Sequence, residues 1–156
     1  MGYIQDLRKL VGTRPIIMAG ACVLLFDNQN RLLLQRRTDN GLWGSPGGAL
    51  EPGEKMEEVA MRGLYEETGL IAERLHLFDV FSGNELYYRY PHGDEVFNLV
   101  TVYICKEYKG TLRSDGIETK EVKFFDLWNI PKDLSPPEIP VINKLLKEKM
   151  GSLNQK

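Results

Sequence analysis

Apolar and polar residues alternate with two different periods along this chain, and the switches between them mark its elements. Ile4, Leu7, Leu10 and Val11 recur at helical spacing, which predicts a short amphipathic helix over 3–11 closed by Gly12. Pro15 to Phe26 then reads as a long apolar strand broken by Gly20. The polar turn Asp27-Asn28-Gln29-Asn30 and a second strand, Arg31 to Arg36, follow it, so the pair reads as a hairpin at the start of a sheet. Farther on, LHLFDVFS within residues 71–82 is a strand, and Gly83–Tyr90 and Glu95–Tyr108 form a second hairpin across Pro91-His92-Gly93-Asp94. Val96, Phe97, Leu99, Val100, Val102, Tyr103 and Ile104 put apolar groups on both faces of its second strand, as in a central strand covered from both sides. Lys109-Gly110 closes that strand, and the loop TLRSDGIETK leads to a last strand, Glu121–Leu127. A C-terminal helix over 138–150 turns Val141, Leu145 and Leu146 inward, its start set by Pro136, Pro137 and Pro140.

Between the first strands and the second hairpin lies the most informative stretch, Gly47 to Leu70. Its glycine pair lets backbone come close to a neighbour. Pro52-Gly53 then makes a turn, and a helical segment runs to Gly69, which closes it in the left-handed conformation. At about 100° per residue, Met56, Val59, Ala60, position 63, Glu66 and Glu67 share one arc roughly 120° wide. The face that buries apolar groups therefore ends in two adjacent carboxylates. A glutamate pair near a helix end is most often solvated surface. Aimed at a core it needs positive charge, because an unpaired buried carboxylate costs several kcal/mol. Arg62 supplies part of that, and a hard cation such as Mg²⁺, which takes oxygen ligands and accompanies phosphate substrates, would supply the rest.

Composition narrows the picture. A chain of 156 residues suits a single domain with a real core, and 42% hydrophobic with 27% charged residues is an ordinary globular balance. A net charge of −2 makes no electrostatic case for duplex nucleic acid. Cys22 and Cys105 sit in apolar strands without a CxxC partner and read as reduced core residues, which fits the cytoplasm. The charged start MGYIQDLRKL does not read as a signal peptide, and no apolar run reaches the ~18 residues of a membrane span. His76 and His92 are isolated and read as a strand and a turn residue, and Tyr87, Tyr88, Tyr90 and Phe97 as strand aromatics more than as a base-stacking surface.

In the central stretch, Gly48, Glu54, Arg62, Leu64, Glu66, Glu67, Gly69 and Leu70 stand at fixed offsets. This frame resembles the signature of the Nudix hydrolases, G-x5-E-x7-R-E-U-x-E-E-x-G-U with U a bulky aliphatic, at eight of nine defined positions over 23 residues. The resemblance covers roughly residues 15–148, with 1–14 as an N-terminal helical extension and 47–70 as the Nudix box. It implies an α/β fold, the Nudix α/β/α sandwich with a mixed β-sheet. It also implies a Mg²⁺- or Mn²⁺-dependent pyrophosphohydrolase that cleaves a nucleoside diphosphate linked to another moiety. Glu66, Glu67 and the Gly47 carbonyl would hold the metal, and Glu54 would orient Arg62 or bind through a metal water. Arg36, Arg37 and Gly48 would lie at the substrate's phosphates, although a solvated strand end explains the arginines equally well. Ser45 stands where aliphatic residues are common in the family. Family members often carry a further metal-cluster or base glutamate in the loop before the last strand; Glu118 is the candidate, with Glu121 behind it. Many are homodimers, and no patch in this sequence decides that.

The ninth position is Gly63, where the pattern has a glutamate often ascribed the general-base role or a share in metal ligation. Glycine can do neither, and a positioned base is worth about 10² to 10⁴ in rate. Glu118 is the residue best able to replace it. The departure keeps a second reading open, a nucleotide-binding or regulatory module on the same fold, and a housecleaning enzyme for oxidised nucleotides is a third. A gain of about 10² or more on Gly63→Glu would favour an impaired enzyme, and binding without any gain would favour the module.

Overall fold

The side chains of one strand, β1 (Ile16–Leu25), alternate between two separate apolar clusters and so set the layering. Ala21, Val23 and Leu25 pack with Val59, Ala60 and Leu64 of the helix α2 (Met56–Thr68). Cys22 and Leu24 point the other way, onto Val141, Ile142 and Leu145 of the C-terminal helix α3 (Glu138–Asn154). A strand buried on both faces requires a helix on each side, and the result is an α/β/α sandwich. This computed structural model describes residues 2–154, with 150–154 by backbone alone.

The main sheet is mixed. β1 lies between β4 (Gly47–Ala49), antiparallel, and β7 (Glu95–Gly110), parallel from Ile16 opposite Val96 to Leu25 opposite Cys105. β7 is flanked on its other side by β5 (Leu70–Phe81) and by the short β6 (Tyr87–Arg89), the hairpin partner expected from the sequence. A second, antiparallel sheet joins β3 (Trp43–Gly44), β2 (Leu32–Arg37) and β8 (Thr119–Phe125). β8 begins two residues earlier than the sequence reading placed it. Cys22 and Cys105 are buried free thiols.

Two expectations are corrected. β1 and β2 share a turn but only the single bridge Phe26–Leu32, because both edges of β1 are already taken by β4 and β7. Gly20 does not break β1 either. A Cβ there would stand 2.5 Å from the Gly48 carbonyl oxygen, so the glycine serves close approach of β4.

The same economy of space recurs across β4. A Cβ on Gly47 would lie 2.2 Å from the Ala21 carbonyl oxygen, and one on Gly63 would lie 2.4 Å from the Gly47 carbonyl carbon. β4 is thus clamped between β1 and α2 by glycines on three elements. The N-terminal helix α1 (Tyr3–Val11) is fastened from outside. Its Arg8 guanidinium donates to the carbonyls of Gly12 at 2.9 Å, Arg14 at 2.6 Å and Glu95 at 2.5 Å, and Asp94 lies 3.6 Å away.

Alanine outranks glycine in an open helix by about 1 kcal/mol, but at position 63 the new methyl would meet backbone that cannot swing aside. We expect Gly63→Ala to destabilise the fold by about 1–3 kcal/mol, a fall in Tm of about 2–10 °C for a chain of this size. An unchanged or raised Tm in a thermal melt would show that β4 moves freely off the helix.

Candidate functional site

α2 brings the acidic frame to the sheet. Its N-terminus is boxed by the Lys55 N–H donating to Glu58 Oε1 at 3.0 Å, and it ends at Gly69, whose φ of 78° and N–H to the Tyr65 carbonyl make the left-handed cap expected there. Glu67 falls on the buried face and is 7% exposed; Glu66, one position earlier, faces solvent at the cavity rim. Arg62 staples the helix to the preceding loop. It donates to Glu54 Oε1 at 2.9 Å and Oε2 at 3.2 Å and to the Ala49 carbonyl at 3.1 Å, with Glu66 3.9 Å away. That guanidinium holds the Glu54 carboxyl below its ordinary value.

Glu67 is held by neutral donors. The Gly47 N–H donates to Oε1 at 2.8 Å, and the Gln35 amide nitrogen donates to Oε2. Among the described residues no cation lies within ion-pair distance of this carboxylate. Gln35 is 2% exposed and in turn accepts a hydrogen bond from the Thr119 hydroxyl, itself fully buried. Alternation along β2 explains the placement. Gln35 and Arg37 share the face toward α2, whereas Arg36 turns away and sits 4.0 Å from Glu121.

A cavity of about 650 Å³ opens over this group and takes in Gly47, Gly48, Arg62, Glu66, Glu67, Arg37 and Glu118. Arg37 is held in a two-pronged pair with Asp39, at 3.0 and 2.8 Å. Of the sequence candidates, Arg36, Glu54 and Glu121 lie off the cavity lining, Glu54 being linked to it through Arg62. Glu118 reaches it because Asp115 Oδ1 accepts the N–H groups of Ile117, Glu118 and Thr119 at 2.9, 3.0 and 2.9 Å and curls the loop inward. Tyr88 and Tyr90 also face the cavity, edge to face at 5.0 Å, while Tyr87 and Phe97 pair with each other at 5.3 Å.

Sequence reasoning missed Gln35, Thr119 and Glu138 as cavity-lining or supporting residues. Glu138, at the start of α3, accepts a hydrogen bond from the Ser45 hydroxyl, and burial raises its carboxyl above the ordinary range. A serine where an aliphatic residue is common was the one signal of this pairing. Gln35 carried none, since a glutamine at the end of an apolar strand reads as its exposed tip.

The donor set fits a hard divalent cation. Glu66, Glu67, Glu118 and the Gly47 carbonyl offer oxygen only, and Glu67 is a buried carboxylate without a counter-ion. No cluster of three His, Cys, Asp or Glu side chains is assembled among the described residues.

Burial pushes the Glu67 carboxyl up to about 7 from 4.5, with the Glu118 charge adding to the shift and the hydrogen bonds from Gly47 and Gln35 and the Arg37 charge opposing it. Between those two values the folded chain keeps a proton that the unfolded chain has released. Stability of the metal-free protein therefore falls as pH rises through that window and levels off above it, by roughly 3 kcal/mol at most. Thermal melts in chelator should show Tm declining from pH 5 to 7.5 and a shallower decline for Glu67→Gln, Glu138 contributing the remainder. Parallel profiles for the two proteins would contradict the assignment.

Known proteins share this fold and sequence pattern. The sequence profile of the NUDIX domain matches residues 17–145. The chain is 37% identical over 111 residues to an ADP-ribose pyrophosphatase of Methanocaldococcus jannaschii, covering 69% of this chain and 62% of the relative's length. It is 32% identical over 124 residues to a putative 8-oxo-dGTP diphosphatase of Bacillus subtilis, covering 80% and 76%. Among solved structures it superposes on a MutT NUDIX hydrolase from Burkholderia pseudomallei with a TM-score of 0.66 at 24% identity, covering 83% of this chain and 97% of that one. The NUDIX domain of Shewanella oneidensis NrtR, solved with ADP ribose, gives 0.65 at 19% identity, covering 96% and 99%. A profile match over most of the length, on this fold and with this acidic frame, places the protein in the NUDIX-domain family, the Nudix hydrolases.

Proposed function

We propose that the chain is a divalent-metal-dependent pyrophosphohydrolase that cleaves a nucleoside diphosphate linked to another moiety, with ADP-ribose as the first substrate to test. The carrying observation is the buried, uncompensated Glu67 carboxylate at the end of the signature helix, in one cavity with Glu66, Glu118 and Arg37. Likeness to the ADP-ribose pyrophosphatase supports the substrate class.

Glu66, Glu67, Glu118 and the Gly47 carbonyl would hold Mg²⁺ or Mn²⁺. The ion would neutralise diphosphate charge and act as a Lewis acid toward phosphorus and water. Arg37, fixed by Asp39, offers its remaining N–H groups to a phosphate, and the glycine backbone at 47–48 lets the diphosphate approach β4 closely. Arg62 keeps helix and loop in register through Glu54. Glu118 would accept a proton from attacking water, the part that Gly63 cannot play.

A second reading, a nucleotide-binding module, is favoured by Gly63 itself, which cannot supply the carboxylate of the family pattern. Gly63→Glu does not separate the two readings cleanly, because even its Cβ would displace Gly47 from the helix. Substrate turnover does. With Mg²⁺ the chain should convert ADP-ribose and water to AMP and ribose 5-phosphate, and chelator should abolish this. Binding of ADP-ribose without turnover, with 8-oxo-dGTP also uncleaved, would select the module instead.

Two substitutions read the roles apart. Glu67→Gln should lower kcat by about 10²-fold or more, as for removal of a charge that stabilises the transition state. Arg37→Ala should act mainly on KM, raising it about tenfold or more as a charged hydrogen bond to phosphate is lost. Steady-state kinetics that leave both parameters within twofold for either variant would remove that residue from the site.

A further inference from the structure

We infer that Gln35 is a positioning residue for the metal-binding carboxylates, setting Glu67 against Glu118 through Thr119; this rests on the pyrophosphohydrolase reading above. Four side chains form a continuous relay. Asp115 gathers the N–H groups of residues 117–119, the Thr119 hydroxyl donates to Gln35 Oε1, and Gln35 Nε2 donates to Glu67 Oε2. Thr119 directly follows Glu118, so the relay ties the loop that presents one carboxylate to the helix that presents the other.

The chemistry of the amide matters in two ways. The carboxylate only accepts, so the nitrogen end of the amide is the one turned to Glu67, and its oxygen accepts from the Thr119 hydroxyl, which could serve either end. It is also neutral. A lysine or arginine at this depth would pair with Glu67 and compete with a divalent ion, whereas the amide and the Gly47 N–H orient the carboxylate and leave its charge for the ion. A positioning amide and a merely structural one differ in what their loss does to metal affinity.

The test measures Mn²⁺ affinity by the loss of the free-ion electron paramagnetic resonance signal, without substrate, for the full chain and its variants. Gln35→Met, close in volume but without the donor, should weaken Mn²⁺ binding about tenfold or more, in line with loss of a group that supports a metal ligand. It should lower kcat while leaving the KM for ADP-ribose nearly unchanged. Gln35→Lys should weaken Mn²⁺ binding further than Met. Thr119→Val should weaken it in the same direction and Thr119→Ser should restore it, and this pair decides the matter if the Gln35 variants do not fold. A folded Gln35→Met with wild-type Mn²⁺ affinity and kcat overturns the inference and leaves the functional reading intact, as does Thr119→Val matching Thr119→Ser. Failure of the wild-type chain to bind Mn²⁺ overturns both.

Discussion

The structure depends on how closely backbone can approach backbone at β4. Gly20 admits the Gly48 carbonyl, Gly47 fits against Ala21 and Cys22, and Gly63 admits Gly47, so three elements of two layers touch with no side chain between them. This close seat brings the buried face of α2 near enough for Glu67 to accept the Gly47 N–H. An ordinary side chain at any of these positions would meet backbone and force these elements apart. Gly63 thus has a packing role in this chain, besides being the place where a family carboxylate is missing.

The electrostatic character of the site follows from that geometry. Seating the helix tightly desolvates Glu67, and the donors available to it are a peptide N–H and an amide, both uncharged. The cations nearby are engaged elsewhere, Arg62 by Glu54 and Arg37 by Asp39. A buried carboxylate in this situation either holds a proton or meets an external cation. The first describes the metal-free protein below about pH 7, and the second is the state in which a diphosphate would be handled.

Much of this was legible in the sequence where the signal is local. The helix and its glycine cap, the hairpin across Pro91–Asp94, the central β7 and the burial of the two cysteines all follow from period, turn chemistry and apolar runs. The acidic frame was legible too, because its offsets along one helix are rigid. What depends on pairing between distant segments was not. Nothing within residues 15–37 tells that β1 already has two neighbours and must send β2 to another sheet. Gln35 and Thr119 meet across 84 positions, and Glu138 meets Ser45 across 93. Arg36 and Arg37 look alike in sequence, and strand alternation alone sends one into the cavity and the other away from it. Gly63 was legible as a missing acid but not as a contact surface.

One measurement bears on the whole account: anomalous diffraction from crystals soaked with Mn²⁺ and a non-hydrolysable ADP-ribose analogue. The account requires a manganese peak within ligand distance of Glu67, shared with Glu66, the Gly47 carbonyl or Glu118 and with the analogue's diphosphate. An analogue ordered in the cavity while Glu67 contacts only Gly47 and Gln35, with manganese elsewhere or absent, would contradict it.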